Sequence, residues 1–314
     1  MLISAIIPNY NHTRYLQHRI DSVLLQSRKP DEIIILDDCS TDNSMAIIEA
    51  EVALHPTIKF IRNTVNSGNT FKQWNKGVEL AKGDFIWMAE SDDVAETEFL
   101  YELEKTLLAN PKAVLAYCQS KKLNFDGQVT GSWQDFTNTM VGGNLFHTDF
   151  VMDGQSYLQQ FLIHRNTIPN ASSVLFSKKV FENIGGSDER LKTNADWLLW
   201  LRMTQFGKIA FVSKTYNQFR YHGESVIAKA HASTTTMYKE QYDGSMRKLF
   251  SSHLHLLKDK SLIQINKHYI SIDDGQKGLH YLQLKQWIKG WYWIIKGSIY
   301  GTFKSGFIKK ALGL

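Results

Sequence analysis

Residues 33–42 read Ile-Ile-Ile-Leu-Asp-Asp-Cys-Ser-Thr-Asp, and the fold turns on them. Four apolar residues in a row, three of them β-branched, suit a strand buried on both faces. Two aspartates stop the run. Ser-Thr-Asp then offers capping oxygens ahead of a helix-period stretch over 42–55. The same grammar recurs on either side. Residues 2–7 are apolar except for Ser4 and end at Pro8, ahead of a helix over 12–27. Residues 58–61, 85–88 and 114–118 give three more strands, with helices over 69–82 and 96–109 between them. Strands alternating with helices imply crossover connections and a mostly parallel sheet flanked by helices on both faces, an α/β fold. Ligands of such sheets bind beyond the carboxyl ends of the strands. Pro8-Asn9-Tyr10-Asn11, Asp37 to Asp42 and Glu90-Ser91-Asp92-Asp93 all follow strands, so they are expected at one edge.

Beyond residue 120 the pattern loosens. Residues 127–150 are rich in Gly, Thr, Asn and Asp and read as a long polar loop. A helix is expected over 153–164, a strand over 172–176, and a short helix from Lys178 closed by Gly185-Gly186. Residues 193–206 form a strong helix pattern with Asp196 in its first turn, and strands over 208–213 and 216–221 follow.

The chain has 314 residues, of which 43% are hydrophobic, enough for a sizeable core. It holds no uninterrupted apolar run of about 18 residues, so no conventional membrane-spanning helix is expected. The opening residues carry neither a basic stretch nor a small-residue cleavage site, so no secretory signal is expected. Two cysteines, Cys39 and Cys118, make no disulfide framework and suit a reducing compartment. The net charge of +5 is unevenly spread. From Gly275 to Leu314 there are seven lysines and no acid, so all 31 acids lie upstream in a nearly neutral body. Trp287, Trp291, Tyr292, Trp293, Tyr300, Phe303 and Phe307 stud the same tail. Lysines and aromatics without acids predict an amphipathic segment lying on an anionic membrane surface. Arginine is absent from the tail, which argues against nucleic acid.

Each acid near a strand end, taken alone, reads as a helix cap or first-turn residue. Together at one sheet edge they repel one another unless a cation intervenes, which is a physical reason to bind a divalent metal and, through it, a diphosphate.

Several further stretches carry a resemblance: Ile6-Ile7-Pro8-Asn9-Tyr10-Asn11; Asp37-Asp38 with Ser40, Asp42 and Ser44; Asn66 with Gly68; and Asn75 with Gly77. Ala81-Lys82-Gly83-Asp84-Phe85-Ile86, Ser91-Asp92-Asp93, Gly185-Gly186-Ser187-Asp188-Glu189 and Ala195-Asp196-Trp197 with Leu199-Trp200-Leu201-Arg202 complete it. In this order and spacing the sequence resembles a family 2 glycosyltransferase of the GT-A fold, inverting and of the bacterial cell-surface polysaccharide type, over roughly residues 2–225.

That resemblance implies a catalytic domain over 1–225, with a nucleotide-binding half to about 120. A mainly helical extension over 226–314 would end in the tail from 275. The resemblance assigns Pro8, Tyr10, Asp38, Asn66 and Asp92 to the nucleotide, with Asp38 accepting from a uracil or thymine. It assigns Asp92 and Asp93, with His222 as a candidate third ligand, to Mn²⁺ or Mg²⁺, and Asp196 to the general base. It implies a nucleotide-sugar donor and a glycan or lipid-linked acceptor, and the basic tail would place the protein at the inner face of the cytoplasmic membrane. The sequence departs from the family at Glu90, where Asp is usual, and at Ala195, where a Glu usually precedes the base. These departures leave a catalytically inactive sugar- or membrane-binding module as the alternative. A sugar nucleotidyltransferase should carry glycine after the first strand, which Pro8-Asn9-Tyr10-Asn11 lacks. A processive synthase would need spanning helices. Trp133, in the polar loop, is a candidate for stacking on a sugar.

Overall fold

The structure is a computed structural model and describes residues 1–139, 143–168, 170–223 and 236–298. The strands are β1 (Ile3–Asn9), β2 (Glu32–Asp37), β3 (Ile58–Arg62), β4 (Phe85–Met88), β5 (Val94–Ala95), β6 (Ala113–Leu123), β7 (Val129–Ser132), β8 (Phe150–Asp153), β9 (Val174–Ser177) and β10 (Lys208–Arg220). The helices are α1 (Thr13–Leu24), α2 (Ser44–Leu54), α3 (Thr70–Leu80), α4 (Phe99–Ala109), α5 (Gln134–Thr137), α6 (Gly154–Tyr157), α7 (Lys178–Asn183), α8 (Ala195–Met203), α9 (Thr236–Leu257), α10 (Lys260–Gln283) and α11 (Trp287–Ser298).

The chain divides into two compact units. The first, Met1–Arg190 with Leu199–Gly223, is built on one sheet of order β3-β2-β1-β4-β9-β6-β10-β5. Strands β3, β2, β1 and β4 pair in parallel, and β6 pairs in parallel with β10. The reversed β9 joins these blocks antiparallel on both sides, so both blocks point the same way. Period-two alternation sorts the side chains. Ile3, Ala5 and Ile7 of β1 join Leu16, Ile20, Trp87 and Phe99 in one buried cluster. Ile6 and Leu36 meet α3 on the other face, at Gly77. Asp42 ties the layers together: its carboxylate accepts from the first N–H of α1 (Thr13, 2.9 Å) and of α2 (Ser44, 3.0 Å). Burial pushes that carboxyl up, but these bonds outweigh it and hold it below the usual range.

The weakly patterned middle carries more structure than its composition predicts. Residues 127–150 hold β7, α5, a 3₁₀ turn over Gly143–His147 and the start of β8; residues 140–142 of this stretch lie outside the described residues. Strands β7 and β8 pair with β6 and β10, and four-residue strands with Gly or Asp among them give almost no periodic signal. The helix expected over 153–164 is α6 followed by a π-turn over Leu158–Leu162. The two strands expected at 208–221 are one, β10, whose register shifts between Val212 and Asn217 mark the expected break.

The second unit comprises Leu191–Leu198 and Glu224–Leu314. Asp259 caps α10, accepting from Leu262 N–H at 3.0 Å. Helix α11 folds back on α10 through glycine contacts: a Cβ on Gly278 would lie 2.5 Å from Ile294, and one on Gly290 2.5 Å from Leu282.

Candidate active site

Strands β1, β2 and β4 are in register, pairing Asn9 with Asp37 and Ile6 with Met88, so the loops that follow them emerge together. Asn9 sends its amide to Asp37 (3.0 Å) and to Ser40 (3.2 Å). Asn11, at a positive φ of 55° that Asn tolerates, accepts from Thr41 N–H at 2.8 Å.

Asp38 is almost wholly buried and heavily bonded. Its Oδ1 accepts from Asn63 (2.6 Å), the Ser67 N–H (2.9 Å) and Gln73 (3.0 Å), while Oδ2 accepts from the Ser67 hydroxyl (2.7 Å). Asn66 donates to the Asp38 carbonyl at 2.9 Å and accepts from Gly68 N–H. Asn66 therefore shapes the loop around Asp38. Pro8 is buried within β1, paired with Leu36, and Tyr10 is exposed just beyond it.

The loop after β4 is braced from four sides. Arg19 donates Nε–H to the Glu90 carbonyl (2.8 Å), and Ser172 Oγ accepts from Glu90 N–H (3.2 Å). The Trp74 indole N–H donates to Glu90 Oε1 at 2.6 Å. Arg220 donates Nε–H to the Asp92 carbonyl and its own backbone N–H to Asp93 Oδ1, both at 2.9 Å. The two aspartates consequently face different ways. Asp93 is 1% exposed and occupied by the Arg220 backbone. Asp92 meets His222 Nε2 at 3.0 Å.

His12, just after β1, joins them. The ligand atoms of His12, Asp92 and His222 all lie within 4.8 Å of one another. The Ser91 hydroxyl fixes His12 through Nδ1 at 2.7 Å. His222 Nδ1 is buried without a hydrogen-bond partner among the described residues. Two imidazoles and a carboxylate are a donor set for a divalent transition cation; Mn²⁺ accepts it through the carboxylate and tolerates the imidazoles, whereas Mg²⁺ prefers oxygen alone. The cluster brings together Asp92 and His222 of the expected ligands and adds His12. Asp93 is instead turned into the protein.

The electrostatics fit a site built to receive positive charge. Burial, then the Asp92 charge, pushes Glu90 up to about 8 and Asp93 up to about 7. Burial works against Asp92 too, but the His222 hydrogen bond and the neighbouring imidazoles outweigh it and hold Asp92 below the usual range. Arg19 is 0% exposed, and burial lowers its guanidinium to about 10 against the attraction of Asp93 and Asp92. Its two terminal nitrogens have no hydrogen-bond partner among the described residues.

Asp196 lies in the first turn of α8 and is partly buried. Asp188 is engaged elsewhere: Arg190 donates to both of its oxygens (2.8 and 2.6 Å), and Arg202 lies 3.6 Å away. Those bonds to Arg190 hold the Asp188 carboxyl below the usual range despite burial. Asn75 clasps the next loop, exchanging bonds with Ser187 N–H (2.9 Å) and carbonyl (3.0 Å). Trp133 is enclosed by Phe136, Phe219 and Lys122, the ammonium 4.7 Å from its ring centre.

A family model described as glycosyl transferase family 2 matches residues 4–185. Chondroitin synthase of Pasteurella multocida (strain Pm70) is 23% identical over 231 residues, 73% of this chain and 21% of that protein. This chain thus spans about a fifth of that relative's length. An uncharacterized glycosyltransferase of Rickettsia prowazekii (strain Madrid E) is 25% identical over 261 residues, 82% of this chain and 75% of the relative. Among solved structures, S. aureus TarS 1–349 in complex with UDP superposes with a TM-score of 0.60 at 18% identity, covering 100% of this chain and 92% of that one. The same TarS fragment in complex with UDP-GlcNAc gives 0.60 at 17% identity, covering 95% and 91%. The architecture is thus that of the GT-A structure of TarS.

Proposed function

We propose, from the premise that this chain belongs to glycosyl transferase family 2, that it moves a sugar from a nucleotide diphosphate-sugar to a hydroxyl of a glycan or lipid-linked acceptor in polysaccharide assembly. The observation that carries the reading is the His12–Asp92–His222 cluster at the carboxyl ends of β1, β4 and β10. These three side chains would hold a divalent cation, Mn²⁺ in preference to Mg²⁺, which when bound supplies Lewis acidity to the departing diphosphate.

The other roles belong to the chain itself. Asp38 Oδ2 accepts a single hydrogen bond among those described, so it has room for the ring N–H of a uracil or thymine. Uridine and thymidine diphosphate-sugars are therefore the favoured donors, and the UDP and UDP-GlcNAc bound by TarS support that choice. Pro8, Tyr10 and Asn66 line or shape the same loops. Asp93 and Arg220 hold the metal loop rather than the metal.

Asp196 takes the acceptor proton in the transition state; Asp188, bound by Arg190, is poorly placed for it. One base on the far side of the sugar gives single displacement with inversion. Residues 1–225 serve as the catalytic domain. The helical extension 226–314 holds the protein peripherally on the cytoplasmic face of an anionic membrane, and no described helix is long and apolar enough to cross one.

The test is a thermal-shift screen of nucleoside diphosphates with and without Mn²⁺, since selective binding to the folded state raises the melting temperature. A panel of UDP- and dTDP-sugars follows, read by nucleotide release and by the product's anomeric configuration. UDP and dTDP should shift the transition only with the cation present. No shift from any nucleotide, or a retained anomer, would overturn the reading.

A further inference from the structure

We infer that Arg247 is a positioning residue for the transfer reaction, holding through Trp197 the turn of α8 that carries Asp196. The inference rests on the reading of Asp196 as general base. The segment Leu191–Leu198 belongs to the same compact unit as the C-terminal helices. Within that unit Arg247 of α9 is 5% exposed, and its guanidinium is walled by three rings. Its central carbon lies 4.3 Å from the ring centre of Tyr269, 4.9 Å from Trp197 and 5.4 Å from Phe250. Trp197 also meets Phe250 edge-on, with ring centres 5.2 Å apart and planes at 89°.

The arginine is itself fixed. Asn266 of α10 accepts from its Nη1 at 3.4 Å and donates to its carbonyl at 2.9 Å, and donates again to Ser251 Oγ at 2.9 Å. A planar cation stacked among aromatic faces keeps a defined orientation, which a flexible lysine does not reproduce. Trp197 follows Asp196 directly in the first turn of α8, so the pose of its ring limits where the carboxylate can point. Ala195 adds to the need. It is a wholly buried methyl, so the residue before Asp196 offers no carboxylate to help orient the base.

The experiment uses the full chain and four variants: Arg247→Met, Arg247→Lys, Tyr269→Leu and Asp196→Asn. Hydrogen–deuterium exchange is followed in peptides spanning 191–199 and in peptides of β1 and β2. Arg247→Met should speed exchange over 191–199 by tenfold or more and leave the strands unchanged. Tyr269→Leu keeps the guanidinium and removes one wall, so it should show a weaker form of the same change. It carries the test should Arg247→Met fail to fold.

Kinetics use the UDP- or dTDP-sugar that is hydrolysed fastest with Mn²⁺. The kcat of Arg247→Met should fall about tenfold to a hundredfold, as expected for a misplaced catalytic group, with KM for the donor and Mn²⁺-dependent UDP binding unchanged. Arg247→Lys should recover only part of the loss. Unchanged exchange at 191–199 in both Arg247→Met and Tyr269→Leu overturns the inference, as does a rise in donor KM with kcat intact. Asp196→Asn separates the two ideas. Near-normal turnover in that variant removes Asp196 as base, whereas a loss of about 10²–10⁴-fold there beside a normal Arg247→Met removes Arg247 alone.

Discussion

At the scale of single residues, two neighbouring aspartates have been given different work by their partners. Asp92 faces two imidazoles, while Asp93 satisfies the backbone N–H of Arg220. Asp92→Ala should therefore lower Mn²⁺-dependent UDP affinity at least tenfold, read by titration calorimetry. Asp93→Ala should act first on stability. It leaves a buried N–H without its acceptor, worth about 1–3 kcal/mol in urea unfolding. The opposite ranking would show that Asp93 is the ligand after all. Arg19 makes a second contrast. Its buried charge and a bound cation offset the same three acids, Glu90, Asp92 and Asp93. Removing one should make the other matter more, so Arg19→Met should enlarge the rise in melting temperature caused by Mn²⁺; an equal or smaller rise would refute that role. The sequence exposed the acids because they follow strands. It hid His12 and Arg19, whose partners stand some 70 to 210 residues away and whose spacing matches no local ligand pattern.

At the scale of elements, legibility followed the repeat unit. A continuous apolar strand next to an amphipathic helix announces itself within about fifteen residues, so β1 to β4, β6 and the intervening helices lie where the pattern puts them. Strand β9 also lies near its expected place, but nothing in Val174–Ser177 reveals that it runs against both neighbours, because direction is set by the connections. The short β7 and β8 borrow their order from β6 and β10. Close packing between elements can be tested at Gly77. A Cβ there would lie 2.6 Å from Ile6 Cγ2 and 3.1 Å from Leu36 Cδ1, both in the buried sheet. Gly77→Ala must push α3 away from β1 and β2, although alanine favours the helix. Overpacking of this kind costs about 1–3 kcal/mol, so the urea midpoint should fall with an unchanged slope. A neutral or stabilising result would mean that the helix shifts freely.

At the scale of the molecule, the charge asymmetry acquires a location. Gly290, Ile294 and Gly297 of α11 are buried against α10, which leaves Trp287, Ile288, Tyr292 and Ile295 exposed along the opposite face. Ile288 is 90% exposed, and it is the cluster of four exposed apolar side chains, not any one of them, that marks this face for an apolar contact. Lys285 and Lys289 are exposed beside that face. Lys277 and Lys296 place their ammonium groups 3.6 and 4.1 Å from the ring centre of Trp293, which is half-buried. Tyr300, Phe303, Phe307, Lys304, Lys309 and Lys310 lie outside the described residues. Truncating the chain after Asp274 would cut α10 in its middle, so point changes are the cleaner probe. Ile288→Glu with Ile295→Glu leaves the buried glycine face alone. Each lost isoleucine removes about 1.5–3 kcal/mol of burial in lipid, and each glutamate adds repulsion from an anionic surface. The unaltered chain should sediment with vesicles containing anionic lipid, and less in high salt, because about 1 kcal/mol per lysine is electrostatic. The double variant should lose binding by roughly 10²-fold or more, on the scale of 1.4 kcal/mol per decade. Equal sedimentation of the two proteins would take the α11 face out of membrane binding, and binding that high salt leaves intact would remove the lysines' share of it.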